Sequence, residues 1–195
     1  MSFMTQKELE ALGFESLGKN VLISSKASFY NCARIAIGDN TRIDDFTVIS
    51  AGECGISIGS HVHIAVFSLL IGSGKITVDD FAGISSRVSI YSSNDDYSGN
   101  YLTNPTIPSS FTNVSVAPVR IGRHVIIGSG SVVLPGVHID EGGAIGALSL
   151  VTKNCEKFTV YVGNPLKRLK ARSQKLLEVE REFLLGLNES RYLVD

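Results

Sequence analysis

From Ile121 onward an aliphatic residue recurs at every sixth position: Ile121, Ile127, Val133, Ile139, Ile145 and Val151. Six is neither the helical 3.6 nor plain strand alternation. It reads as a short strand plus a tight turn, repeated. The period also runs upstream in trios: Leu17, Ile23, Phe29; Ile37, Ile43, Ile49; Ile58, Ile64, Leu70; Val78, Ile84, Ile90. Between trios the spacing is 8, 9, 8, 31 and finally 6, so every insertion follows the third member of a trio. The simplest geometry is a triangular coil with one strand per side and about 18 residues per turn. All extra residues leave from one corner. Six stacked coils make a prism with inward aliphatics, stabilised coil by coil. A sandwich of regularly spaced strands is the competing fold, but it does not confine insertions to one place.

Composition sets the outer bounds. Eighteen Lys and Arg against 19 Asp and Glu give a net charge of -1 in 195 residues. That balance offers no basic face for nucleic acid. No stretch approaches the roughly 18 apolar residues of a membrane span, so no membrane insertion is expected. The first twenty residues carry Lys7, Glu8, Glu10 and Glu15, unlike a signal peptide. Cys32, Cys54 and Cys155 are odd in number and scattered. They form neither a disulfide framework nor a zinc pattern, and a reducing cytoplasm is the expected location.

The stretch IGRHVIIGSGSVVLPGVHIDEGGAIGALSLVTK, followed by VGNPLKRLK, resembles the hexapeptide-repeat acyltransferases. The resemblance covers about residues 17–169. It implies an all-β fold, a left-handed parallel β-helix of about six triangular coils. Handedness comes from the resemblance, since spacing cannot show it. The family is trimeric, with each active site in the cleft between neighbouring prisms, so a homotrimer is implied.

The ends read differently. Thr5 to Glu8 is a capping-box pattern, with Thr5 as N-cap. It predicts a helix over about 6–12, ended by Gly13 and covering the open first coil. Residues 1–16 are thus a helical cap, 17–165 the β-helix and 166–195 a C-terminal helical tail. In the tail, Leu176, Leu177, Glu180, Phe183 and Leu184 keep helical spacing over 173–185. This predicts an amphipathic α-helix packed on the last coil or on a neighbouring subunit.

The 31-residue gap is a corner loop over about 91–120, rich in Ser, Asn, Asp, Pro and Tyr. A loop this long in a compact domain is usually functional. In many relatives it begins with a histidine that acts as general base on a sugar hydroxyl. Counted from Ile90, that position is Asp95 or a neighbour, and no His lies between 64 and 123. Deprotonating an attacking hydroxyl calls for a base poised near neutrality. A carboxylate starts near pKa 4 and fits poorly. An amine attacks through its own lone pair, and the ammonium of the adduct is acidic enough for a carboxylate. Asp95 therefore points to an amino acceptor, as base or amine anchor. Within the family this matches the branch that N-acylates nucleotide-linked amino-deoxy sugars, which SSRVSIYSSNDDYSG resembles. Asp96 is the neighbour most easily confused with Asp95, and both have the competing role of capping a turn. Ser85 and Ser86 stand next to the loop coil, where a hydroxyl suits binding the sugar or holding Asp95, or simply fits the turn.

His63 precedes Ile64 and so points outward, as a partner of an aspartate or as a base itself. His61 and His124 occupy equivalent turn positions. His138 is also outward, on the side of the acyl carrier. No His and carboxylate spacing suits a metal, so none is expected. The resemblance places acyl-CoA, by default acetyl-CoA, along the last coils. It assigns Ser129, Gly146, Ala147, Thr152 and Lys153 to the cofactor, and Lys167, Arg168 and Lys170 to its phosphates. Small residues open the backbone to the pantetheine arm, and cations meet phosphates. The same small residues also suit a hexapeptide turn with nothing bound.

The chain thus reads as an acyltransferase moving an acyl group from acyl-CoA to the amino group of an amino-deoxy sugar, with a nucleotide-linked acceptor. A sugar O-acetyltransferase with His63 as base is the first alternative. A non-catalytic hexapeptide scaffold is the second.

Overall fold

The structure is a computed structural model and describes residues 2–192. Met1 and residues 193–195, part of the expected cap and tail, lie outside the described residues. The period of six builds three parallel faces. The first holds Ser16–Leu17, Ile35–Ile37, Ile56–Ile58, Ile76–Val78, Val119–Ile121 and His138–Ile139. The second holds Leu22–Ile23, Arg42–Ile43, His63–Ile64, Gly83–Ile84, Ile126–Ile127, Ala144–Ile145 and Thr159–Val162, closed by Lys167–Ala171. The third holds Ser28–Tyr30, Val48–Ala51, Leu69–Gly72, Ser89–Tyr91, Val132–Val133 and Leu150–Val151. Each trio supplies one strand to each face. Six coils are complete, and a seventh begins where Cys155 bridges to Ile139.

All trio members are buried except Leu17 and Phe29, which belong to the open first coil. Full burial of one such aliphatic side chain is worth about 1.5–3 kcal/mol. The corner between the first and second faces is here the first corner, that between the second and third the second corner, and the connection to the next coil the third. The long loop leaves from the third.

At the N-terminus, α1 (Gln6–Ala11) has the capping box, with the Thr5 hydroxyl accepting from the Glu8 N–H. It buries Leu9 against the first coils. Gly13 follows at φ +67°.

The C-terminal tail corrects the expectation in two ways. Residues 167–171 are a strand, antiparallel to Thr159–Val162. The last coil otherwise exposes an unpaired edge, and this strand pairs with it. The helix, α2 (Leu176–Tyr192), then folds back along the first corner instead of capping the last coil. Phe183 packs edge-on to His61 and Phe81, with centroids 5.4 and 6.3 Å away. Glu180 is buried and holds Arg123 and His124, the latter at 3.0 Å. Arg172 reaches the carbonyls of His124, Gly142 and Gly143 at 2.8, 3.0 and 3.3 Å.

Candidate active site

The second corner lines up residues from successive coils. The N–H of Asp44 donates to the carbonyl of Ile64, that of Ala65 to Ile84, that of Ser85 to Ile127 and that of Gly128 to Ile145, all between 2.8 and 3.0 Å. Asp44, Ala65, Ser85, Gly128 and Gly146 thus form one column. Ser86, Ser129 and Ala147 fall in the next. Ser85 is pinned from below as well, since the Ser68 hydroxyl donates to its carbonyl at 2.9 Å. Ser85 and Ser86 belong to the coil that launches the loop.

At the third corner the loop opens with Ser93–Asn94 paired antiparallel to Ser115–Val116. This short ribbon sets the next two residues apart. One carboxylate oxygen of Asp96 accepts from the Ser98 N–H at 3.0 Å, the Ser98 hydroxyl at 2.7 Å and the Gly99 N–H at 3.2 Å. The Ser98 hydroxyl and these N–H groups hold its carboxyl below the ordinary value. Asp96 therefore does the turn-capping job. Asp95 is exposed and makes no hydrogen bond or ion pair among the described residues.

Ser85 and Asp95 lie at opposite ends of the third face in the fourth coil. A span of five or six extended residues puts them roughly 15–20 Å apart. Neither Ser85 nor Ser86 holds Asp95 within one chain, which corrects that expectation. The cofactor candidates divide the same way. Ser129, Gly146 and Ala147 stand at the second corner of coils five and six. Thr152 and Lys153 are exposed at the third corner of coil six. Lys167 pairs with Val162 beside the second corner, while Arg168 and Lys170 lie further back on the second face. Arg168 is 3.9 Å from Glu156.

Between these two corners the third face presents apolar residues outward. Val48, Leu69, Ile71, Val132, Leu134 and Leu150 are all half-buried in the single chain. The first face presents Ser57, Thr77, Arg120 and His138 instead. His138 is exposed there.

His63 is on the second face in coil three. Its Nε2 is 2.9 Å from Asp44, whose other oxygen accepts from Arg42 Nε at 2.7 Å. Burial pushes the Asp44 carboxyl up, but the Arg42 and His63 hydrogen bonds outweigh it and hold the carboxyl below its ordinary value. His63 thus pairs with an aspartate, though not with Asp95. His61 and His124 are turn residues as expected, at φ 56° and 58°. Among the described residues no group of three or more His, Cys, Asp or Glu could hold a metal ion.

Sequence reasoning missed three residues at the second corner. Phe46, Phe67 and Arg87 stand three positions after Ile43, Ile64 and Ile84, all at φ near 61°. The signal was available: a bulky residue where hexapeptide turns favour Gly or Asn. A concavity of about 670 Å³ lies elsewhere, over the first face and first corner between Asp79, Arg120, Arg123 and Asp140. It shares no lining residue with the candidate site.

No protein-family model matches the chain. A curated relative, the dTDP-4-amino-4,6-dideoxy-D-glucose acyltransferase of Escherichia coli, is 58% identical over 183 residues, 94% of this chain and 95% of the relative. AntD, an N-acyltransferase from Bacillus cereus solved with dTDP and 3-hydroxybutyryl-CoA, is 48% identical with a TM-score of 0.92, covering 96% of this chain and 98% of that one. AntD has also been solved with one aspartate changed to Asn or Ala, and one serine changed to Ala, Thr or Cys. A maltose O-acetyltransferase from Clostridium difficile 630 shares the fold alone, at 24% identity and a TM-score of 0.58 over 87% of this chain and 75% of that one. With a relative this similar along nearly its whole length, and with the six-residue period supplying one strand to each face of every coil, the chain belongs to the hexapeptide-repeat acyltransferase family.

Proposed function

We propose that this protein transfers an acyl group from acyl-CoA to the amino group of a nucleotide-linked amino-deoxy sugar, as a homotrimer. The observation that carries the reading is Asp95: an exposed, unpartnered carboxylate at the root of the long loop, where an O-acyltransferase of this family would carry histidine. The relatives named for dTDP-amino-sugar acylation support it. So does the alteration in AntD of one aspartate and one serine, the residue types of Asp95 and Ser85.

The division of the candidates supports the trimer. Three copies that turn their apolar third faces toward a three-fold axis each bring a second corner against the next copy's third corner. Ser85 of one copy then faces Asp95 of its neighbour at one height. Ser129 and Ala147 face Thr152 and Lys153 two coils on. One groove thereby collects all these residues.

In that groove the neutral amine attacks the thioester carbonyl carbon. A carbon–nitrogen bond forms as the carbon–sulfur bond breaks. Asp95 takes the proton from the adduct's ammonium, and that proton then goes to the departing thiolate, so that CoA leaves as the thiol and the carboxylate is restored. Ser85 positions the reacting groups by hydrogen bonding. Holding amine and thioester together supplies much of the rate, on the order of several kcal/mol. Location in the cytoplasm is part of this reading, consistent with three scattered free cysteines.

The test is thiol release from acyl-CoA against amino sugars, free and nucleotide-linked, each beside its hydroxyl counterpart. Turnover confined to the amines is expected, from a species of three times the 20.9 kDa chain mass. Turnover with the hydroxyls would sink the reading. It would favour an O-acetyltransferase using His63, which the Asp44 contact orients as a base. Absence of CoA binding would favour a scaffold.

A further inference from the structure

Arg87 has no role so far, and it stands on the reacting coil two residues past Ser85. We infer that Arg87 binds the diphosphate of the nucleotide-linked acceptor and sets its preference over the free amino sugar. This rests on the proposed function above.

The argument begins with height along the prism. The cofactor candidates occupy coils five and six, and the reacting groups occupy coil four. The remainder of the acceptor must therefore run down the same groove toward coils three and two. On that stretch the second corner changes character. Above coil four the equivalent position holds Gly130 and Leu148. Below, it holds Phe67 and Phe46, stacked at 5.0 Å and 12° and about half exposed.

Charge narrows the choice. Lys26, at the foot of this stack, is 3.5 Å from Asp45. Arg42 is paired with Asp44. Arg87 is exposed and has no carboxylate partner among the described residues. Its guanidinium sits 5.9 Å over the Phe67 ring, a contact that fixes its direction. Its backbone is left-handed at φ 62°, a conformation that a long side chain adopts at a cost. A planar fork held in place beside the reacting coil suits two phosphate oxygens. The exposed ring pair one coil below suits an aromatic base. A nucleoside diphosphate presents both at that spacing.

Calorimetric titration of dTDP into the trimer tests this directly. In Arg87→Ala the affinity should fall roughly tenfold or more, as for loss of a charge-assisted pair. Arg87→Lys, which keeps the charge and loses the fork, should fall less. CoA affinity should hold in both. In steady state the KM for the nucleotide-linked amine should rise by the same factor with kcat kept, and turnover of free amino sugar should not change. Unchanged dTDP affinity in Arg87→Ala, or a drop in CoA affinity instead, would overturn the inference. So would a wild-type protein that binds no dTDP. A wild-type protein that binds dTDP through Arg87 but acylates no amine would leave this inference standing and sink the proposed function. Acylation of nucleotide-linked amines unaffected by Arg87→Ala would do the reverse.

Discussion

The first and second corners share one backbone geometry and put it to opposite uses. From the second coil to the sixth, both turn through a left-handed residue in each coil. At the first corner these include Asn40, His61, Phe81 and His124, with Asn20 left-handed in the first coil as well. They form a continuous ladder: the Asn20 amide donates to Asn40 at 3.1 Å, and His61, Phe81 and His124 stack at 4.8 and 5.1 Å. The chain then packs α2 over the upper part of that ladder, against His61, Phe81 and His124. At the second corner Phe46, Phe67 and Arg87 also stack, but no helix or strand among the described residues covers them. Phe46 is 47% and Phe67 51% exposed. Rings that a protein covers with its own helix serve stability. Rings that it builds into strained turns and leaves open are available to a ligand or a second copy.

The comparison breaks first at its open side. Asp95→Asn should lower kcat for an amine acceptor on the order of 10²- to 10⁴-fold, the usual worth of a positioned base, with no change in melting temperature. Asp96→Asn should loosen the loop turn and cost far less activity. Equal losses would erase the distinction drawn from the Ser98 and Gly99 hydrogen bonds. At the covered corner, Glu180→Ala leaves Arg123 and His124 without their shared carboxylate. Removing one partner of a buried pair costs about 3–5 kcal/mol. Arg123 is partly exposed, so about 2–3 kcal/mol is expected, or a melting temperature lower by about 5–10 °C. Activity per folded protein should stay within a factor of a few. A melting scan together with kinetics reads both.

One substitution made at both corners sharpens the contrast. Phe81→Leu removes a ring stacked between two imidazoles and touched by Phe183. It should cost about 1–2 kcal/mol in denaturant unfolding. Phe67→Leu should cost less than half of that, because its ring is open to solvent. If the two costs are equal, exposure does not separate the corners.

How much of this the sequence disclosed depends on range. The period placed every strand face, because inward aliphatics six apart are a local pattern. Counting alone put Ser85 after the second member of its trio and Asp95 after the third, so their separation was already present, though it needed the faces to be seen. The capping box at Thr5 was equally local. The terminal strand at 167–171 was not legible, since its reason is an unpaired edge some residues away. The docking of Glu180 on Arg123 and His124 spans more than fifty residues and leaves no periodic trace. The αL ladder was half legible: Asn and Gly at those sites announce a turn, whereas Phe67 and Arg87 read as ordinary surface residues.

The smallest expected effect tests whether the covered corner is held by a neutral or a charged imidazole. Burial pushes the His124 pKa below 6.5, and the nearby Arg123 and Arg172 push the same way, against Glu141 and Asp80. Glu180, which faces His124 from α2, is shared with Arg123, so the imidazole donates to it as a neutral group. In the unfolded chain His124 takes up its proton near 6.5. Between that value and the lower folded one, the unfolded state binds more protons, so stability is full above pH 6.5 and falls as the pH drops below it. One group sets a ceiling of about 1.4 kcal/mol per pH unit. Asp44 does not confuse the window, because its depressed carboxyl acts only below its ordinary value of 3.8. Melting temperatures from pH 8 to pH 5 should therefore decline on the acid side, and His124→Gln should flatten the decline. A wild-type profile that instead climbs on the acid side would mean that His124 is charged in the fold, and that α2 is held down by an ion pair at this corner.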